Sequence, residues 1–548
     1  MNKTMQLDGE SDLCIIGSGP AGVILALEYA KRNPSKKVIL VEYGTRSETA
    51  RNSLDDSIKI HNPVNHHDPY ECTNKGFGGT SRTWGGRCVM YDEIDFMDRP
   101  VLNGTCTWDL DLFNVIKKYI GTSAYYFECG DPIFDLSEMP KFGDLPFVEN
   151  FVEGTVTTTS IERWSMPTRF NKRYLKELIS HKNIILLEGY EARDFVLDPM
   201  NEKVVSLLIR SISDRSTKTL LAAKYVIAAG AQESTRILLR NLNLFHRIGG
   251  APYALGKFYQ GHVSGKIASV KFSGDPKRTN YSFLRDEKGV YLRRRFQFSK
   301  EFLLGSNLLN AAIWLDNPLY HDPKHRNGTM SLIYLAMIFP PLRKLLAPPA
   351  IARSVTGERK SGIIPHLWNV IMDFPSSFST PAIMFIKRYL KRRKLPGIFL
   401  YSPSNYYALH YHAEQIPCAA NRMELGPDGE TLSINYTLSE GDIHSVIRLH
   451  EAMDEWLQRN NCGKLDYWYE SDQLPEIIRK NSKDGIHQCG TTRIADLPEK
   501  GVVDRDLKLF GPDNVYVCSS SVFPTSGQAN PTFLLGAFAV RLADHLSK

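Results

Sequence analysis

Long apolar runs are missing from this chain. The most hydrophobic window, 332–339, ends at Pro340-Pro341 after eight residues, against the ~20 that a bilayer-spanning helix requires. No transmembrane helix is therefore expected. The first eleven residues are polar and carry no apolar core of the kind a secretion signal needs. Cysteine is sparse and odd in number: nine residues, with no CxxC pair and no Cys/His grouping at metal spacing. A disulfide framework and a metal site are both unexpected, and the thiols suit a reducing, cytoplasmic setting. Charge of either sign is not in excess, because 67 basic and 60 acidic residues leave only +7 over 548 positions. With no nucleic-acid-binding motif beside it, that balance makes nucleic acid an unexpected partner. Internal repeats and low-complexity linkers are also absent, so domains are expected to interleave along the sequence. The chain is long enough for two or more of them.

What is present begins near the N-terminus. Asp12-Leu13-Cys14-Ile15-Ile16 reads as a buried strand and runs directly into Gly17-Ser18-Gly19-Pro20-Ala21-Gly22, after which 23–31 has helix-forming residues. Strand, glycine turn and helix form a dinucleotide fingerprint: one glycine for the turn, one for close approach to a pyrophosphate, one for helix-to-strand packing. A second strand, 38–41, ends on Glu42, twenty residues after Gly22. A carboxylate there accepts hydrogen bonds from a ribose 2′-OH and repels a 2′-phosphate, which favours FAD or NAD over NADP.

A second glycine cluster follows, Gly76-Phe77-Gly78-Gly79-Thr80-Ser81-Arg82-Thr83-Trp84-Gly85-Gly86. Its small residues and backbone N–H groups are suited to wrapping a phosphate or a flavin ring. Segments 183–196, 204–212 and 218–229 read as strands, the last meeting Gly230 before a helical 234–240, which predicts a later strand of the nucleotide-binding sheet. Alternating runs at 266–272 and 291–298 predict an antiparallel sheet. Between 331 and 400 the sequence is rich in proline, leucine and basic residues. On a helix, Ile383, Ile386 and Leu390 would share one side, with Lys387, Arg388, Lys391 and Arg392 on the other. Such a helix suits contact with an anionic membrane surface, the plainer alternative being a solvated face of a globular domain.

The C-terminal region, 485–545, places His487 ahead of a strand-like run and Asn530 just before Pro531-Thr532, where an apolar helix opens. A histidine able to take a proton, with an asparagine able to hold an oxygen, suits removal of hydrogen from an alcohol, provided a hydride acceptor is at hand.

Taken in order, the glycine fingerprint with Glu42, the GGTSRTWGG patch, the strand to Gly230, Leu255-Gly256-Lys257 with Gln260-Gly261-His262, Asn421-Arg422 and the His487-to-Asn530 block resemble the glucose-methanol-choline (GMC) oxidoreductases, the NPT ending being most similar to pyranose 2-oxidase and related bacterial members. The resemblance implies an α/β chain, α+β overall: a Rossmann-like FAD-binding domain (8–105, 155–262 and 480–548) and a substrate domain on a large antiparallel sheet (106–154 and 263–479), with 331–400 as an insertion. It implies an FAD-dependent oxidoreductase acting on the CH–OH group of a small-molecule alcohol, often a sugar or polyol, with oxygen, a quinone or another carrier as electron acceptor. His487 would be the base and Asn530 the holder of the developing alkoxide. Gly17, Ser18, Gly19, Ala21, Gly22, Glu42, Gly78, Gly79, Ser81, Thr83, Trp84, Ala192, Gly230, Ser519, Pro531 and Thr532 would bind the flavin nucleotide, and His262 would be structural or flavin-proximal.

Two positions depart from the family pattern. Members that attach FAD covalently carry a histidine where this chain has Thr83, which implies a non-covalent flavin. A frequent Asp-Ala-Ser appears here as Ser519-Ser520-Ser521. Competing readings are a flavin monooxygenase, disfavoured by the lack of a second GxGxxG, a non-redox lyase on the same scaffold, and a binding protein with a vestigial site.

Overall fold

A computed structural model describes residues 10–46, 57–139, 146–346 and 362–548. One sheet is wholly parallel, with Val515–Val517, Ala222–Ile227, Ser11–Ile16, Val38–Glu42 and Ile184–Glu188 side by side in that order. Leu13, Cys14, Ile15, Val38, Leu40, Val226 and Ile227 are all buried, as expected of strands covered on both faces. The helix Pro20–Arg32 follows the first strand, and the last helix, Pro531–Leu546, packs against it. A three-stranded antiparallel sheet, Tyr190–Leu197, Val204–Ser211 and Thr217–Leu220, is inserted between the parallel strands. Segment 183–196, read as one strand, is thus two: Gly189 breaks it at a φ of 78°, and the halves join different sheets.

The other large sheet is antiparallel. Its main path runs through Gly463–Tyr467, Ala268–Phe272, Tyr406–Ala413, Ala311–Asp316, Phe296–Phe298 and Val156–Thr157, and Val263–Gly265 also pairs with Tyr406–Ala413. The long helix Glu440–Arg459 packs on this sheet and shares its core, which includes Phe272, Phe296, Tyr407 and Leu449. Ser439 starts that helix with a reciprocal cap: its hydroxyl accepts from Asp442 N, and the Asp442 carboxylate accepts from Ser439 N.

Segment 291–298 also divides. Tyr291–Arg294 belongs to a four-stranded sheet with Leu284–Arg285, Ile161–Trp164 and Arg87–Cys88, while Phe296–Phe298 joins the large antiparallel sheet. The change falls at Arg295, whose buried guanidinium donates to Gln528 Oε1 at 2.6 Å and to Ser160 Oγ at 3.0 Å. Within 331–400 the described residues as far as Leu390 are mostly helical, in Gly328–Ile338, Pro340–Leu346, Ile363–Met372 and Ser376–Phe385, the last continued by one wide π-type turn, Ile386–Leu390, and 391–400 carry no regular structure. The helix expected over 383–394 ends at Leu390, and Lys391 is extended. No helix among the described residues is long and apolar enough to cross a membrane.

Candidate active site

A cavity of about 580 Å³ opens where the parallel strands end, within the usual range for cofactor sites. Gly17, Ser18, Gly19 and Ala21 line it from the first turn, Glu42 and Tyr43 from the second strand, Gly79 and Thr80 from the glycine cluster, and Ala192, Gly230 and Ser519 from further along the chain. Pro531 and Thr532 complete the wall. Gly17 needs its glycine for a φ of 104°, and a Cβ on Gly22 would collide with Gly17 O. A Cβ on Gly19 would meet nothing within 4 Å, so this turn presents bare backbone to the cavity.

The remaining predicted cofactor residues hold the wall and do not line it. Gly22 packs helix against turn. Gly78 has a φ of 90° and lies against Asn171. Ser81 is buried, donating to Gly78 O and accepting from Phe170 N. Thr83 is exposed and accepts from Asn74 Nδ2, while the Trp84 indole N–H donates to Thr168 O. Glu42 lines the cavity, but its carboxylate is already a hub: Oε2 accepts from Ser18 N and Oγ, and Oε1 from Gly44 N and Gly76 N. It ties the two glycine turns together, so Ser18 and Glu42 form one hydrogen-bonded unit at the cavity wall.

Two features suit this cavity to FAD. Gln232 lines it with both amide atoms buried and without a hydrogen-bond partner, a cost that a polar ligand edge would relieve. Two helices also aim uncapped N-termini at it. Gly19 before Pro20–Arg32 and Asn530 before Pro531–Leu546 make no side-chain cap, so free N–H groups and positive dipole ends face the space.

Asn530 is a preferred residue type for capping a helix, yet its amide is engaged elsewhere. Its Nδ2 lies 2.7 Å from Nε2 of His487, and Oδ1 is buried without a partner. The pair sits at the rim of the cavity, because Ile486 and Gln488, flanking the histidine, and Pro531, following the asparagine, all line it. Behind His487 stands Asp484, which sequence reading missed. One carboxylate oxygen accepts from the backbone N–H of Gly485, Ile486 and His487, at 2.7 to 3.1 Å. The other accepts from His262 N at 2.6 Å and faces Nδ1 of both His262, at 3.3 Å, and His487, at 3.6 Å. Burial alone would raise this carboxyl, but the His487 ring and the His262 bond hold it well below the usual carboxylate range. A carboxylate at Nδ1 fixes the tautomer that leaves Nε2 free to accept a proton.

Backbone pairing builds the rest. Gln260 and Cys489 exchange backbone hydrogen bonds, which brings His262 to His487. Val263–Gly265 pairs with Tyr406–Ala413 so that Ser264 lies opposite His412, which brings in a third imidazole. The rings of His262 and His412 stack at 3.9 Å, and His487 meets both edge-on at 5.0 and 5.4 Å. His412 Nδ1 donates to Gln528 O at 2.8 Å, and His262 Nε2 is buried without a partner. Burial pushes both rings below the ordinary imidazole range, His412 furthest, so they stay neutral. One ring nitrogen from each of the three lies within 4.8 Å of the others. That is room for a hydroxyl oxygen or a divalent cation between them, a grouping that the sequence, with no metal spacing to read, did not predict. The alternation His410-Tyr411-His412 on a strand was the one available signal for His412; Asp484, three residues from His487 in a turn, left none.

Comparison with known proteins fits this geometry. Residues 417–539 match a family model described as GMC oxidoreductase. Among curated relatives, the chain is 27% identical over 156 residues to 2-methyl-1,2-propanediol dehydrogenase of Mycolicibacterium austroafricanum, covering 26% of each chain. It is 33% identical over 73 residues to dehydrogenase str4 of Strobilurus tenacellus, covering 13% of this chain and 12% of that one. The matches thus span about a quarter or less of those relatives' lengths. Among solved structures, pyridoxine 4-oxidase from Mesorbium loti (TM-score 0.53, 15% identity) and a fungal aryl-alcohol oxidase (0.51, 14%) each align over 98% of this chain and 99% of theirs. An FAD-dependent oxidoreductase from Chaetomium thermophilum aligns at 0.53 and 15% identity over 98% of both chains. At these identities the structural likeness speaks for the fold.

Proposed function

We propose that this chain, whose residues 417–539 match a GMC oxidoreductase family model, is an FAD-dependent oxidoreductase of that family that converts an alcohol CH–OH group to a carbonyl. The observation that carries the reading is the His487–Asn530 pair, 2.7 Å apart at the rim of the dinucleotide cavity, with Asp484 behind the imidazole. An entering hydroxyl group inserts between the pair. His487 Nε2 takes its proton while Asp484 holds Nδ1–H, and Asn530 Nδ2 donates to the alkoxide oxygen as charge builds there. FAD, bound in the cavity, supplies the acceptor for the hydride that leaves the alcohol carbon. Gly17, Ser18, Gly19, Gly79, Gln232 and the N-terminus at Pro531 and Thr532 are the residues that would hold it, without a covalent link, since Thr83 offers no imidazole and lies outside the cavity lining.

The substrate we favour is a sugar or polyol. His262 and His412, both held neutral by burial, cluster with His487 around one point and offer acceptors to more than one hydroxyl, which suits neighbouring OH groups better than an isolated one. The electron acceptor is oxygen, a quinone or another carrier. The test is anaerobic mixing of the FAD-loaded protein with sugars, polyols and simple alcohols while flavin absorbance is followed. Bleaching by a polyhydroxylated alcohol, lost in His487→Ala with FAD retained, is the expected result; no bleaching by any alcohol would overturn the proposal.

A further inference from the structure

The helix Ile363–Met372 is inside out. His366 and Asn369 are its buried residues: Asn369 Nδ2 donates to Pro323 O at 3.0 Å and Ser331 Oγ at 3.1 Å, and His366 Nδ1 shares a 2.9 Å bond with Ser331 Oγ. Asp373 at its end accepts from Gly328 N, and the buried Ser377 of the next helix donates back to Val370 O. The polar residues therefore anchor these helices to Gly328–Ile338, and the apolar ones face outward. Ile364, Trp368, Ile371, Met372 and Phe374 are 62 to 80% exposed, and Leu390 beyond them is 69% exposed. Isolated exposed apolar side chains are ordinary, but a contiguous patch rimmed by charge marks an interaction surface.

The rim is of one sign. Lys387, Lys391, Arg392 and Lys394 are exposed immediately after the apolar helices, and no acidic residue occurs between positions 374 and 413. The base of this rim is rigid: the Arg388 guanidinium bonds Leu395 O and Pro396 O, and Arg393 bonds Glu128 O and Trp164 O. A second copy of the chain is a poor occupant, because a symmetric pairing would set the same cations against each other. An anionic lipid surface answers both halves, taking the apolar side chains below its headgroups and the lysines and arginines at them.

We propose that this face, formed by Ile363–Met372, Ser376–Phe385 and the basic stretch after them, docks the protein on an anionic bilayer without crossing it. The two helices are ten residues each, long enough to lie in an interface and too short to span. Each exposed cation near such a surface contributes about a fivefold gain in partition, so binding should fall steeply with salt.

The test is flotation of the full-length, FAD-loaded protein with phosphatidylcholine vesicles, with or without phosphatidylserine. The expected result is recovery with the anionic vesicles, reversed by salt, and a loss of about tenfold or more in the double variant Ile364→Asp, Trp368→Asp, which keeps its flavin and its circular dichroism. A Lys387→Glu, Lys391→Glu double variant should lose the preference for anionic lipid. Three outcomes overturn the proposal: no flotation, flotation unchanged in both variants, or a lipid-free dimer that the Ile364 and Trp368 changes convert to monomer.

Discussion

Replacing Asp484 by Asn tests the geometry behind His487 most directly. The variant is nearly isosteric, and its remaining carbonyl oxygen still accepts from the N–H groups of Gly485, Ile486 and His487. What changes is the other arm. A donor NH₂ now faces three donors, the backbone N–H of His262 at 2.6 Å and the Nδ1 positions of His262 and His487 at 3.3 and 3.6 Å. The charged acceptor that fixed the His487 tautomer is gone. A hydrogen bond to a charged group contributes about 1.5 to 3 kcal/mol, which at about 1.4 kcal/mol per factor of ten corresponds to roughly a 10- to 150-fold loss of the proton-accepting tautomer. The flavin-reduction rate at saturating alcohol should fall by that factor, while the half-saturating alcohol concentration moves by less than about threefold, since Asn530 and the cavity are untouched. Stopped-flow anaerobic reduction measures both quantities, with bound FAD and melting temperature as controls. A rate within about threefold of the parent protein, flavin fully bound, would refute the claim that Asp484 sets the state of His487.

Glycine substitutions separate packing from cofactor contact. Gly22→Ala forces a methyl onto Gly17 O and should destabilise even the FAD-free protein by about 1 to 3 kcal/mol. Gly19→Ala points into open space, so the stripped protein should melt as the parent does, while FAD binds about tenfold or more weakly by fluorescence titration; equal melting shifts in both would place the pyrophosphate elsewhere. Acid should destabilise the fold well before carboxylates titrate. Burial holds His325 and His450 down at about 4, so as pH falls below about 6.5 the unfolded chain takes protons that the folded one refuses. Stability present above about pH 6.5 is then lost progressively toward about pH 4, by up to about 3 kcal/mol for each ring, and His450→Gln should flatten that slope in thermal melts. Because buried Asp442, raised to about 6, works in the opposite sense, the readout is the difference between variants: the same slope in the parent protein and in His450→Gln would contradict the burial of that ring. Zn²⁺ should inhibit flavin reduction competitively with alcohol by entering the three-imidazole cluster, and His412→Gln should weaken that inhibition about tenfold or more; inhibition indifferent to His412 would exclude the cluster as its site.

Features built from contiguous residues are legible in the sequence, and those built by pairing between distant residues are not. The strand-turn-helix at Gly17 to Gly22 is legible because glycine spacing, apolar strand and helix propensity lie within one short window. His487 and Asn530 are legible as chemical types, but their 2.7 Å contact depends on the last strand and helix folding onto the first sheet. The carboxylate that faces His487 Nδ1 is three residues away and carries no periodic or motif signal. The two other imidazoles arrive only through the Gln260–Cys489 exchange and the Ser264–His412 register. The basic stretch from Lys387 to Lys394 is legible as a run of cations, whereas the outward apolar face of Ile363–Met372 is not, for a physical reason. Amphipathicity by sequence assumes that polar residues face water, whereas His366, Asn369 and Ser377 face protein and leave the apolar side outward. Turning this helix over would leave Ser331 Oγ and Pro323 O without the partners that His366 and Asn369 supply, so inward hydrogen bonds set its orientation. The outward apolar face therefore follows from the inward hydrogen bonds, which leave Ile364, Trp368, Ile371 and Met372 exposed.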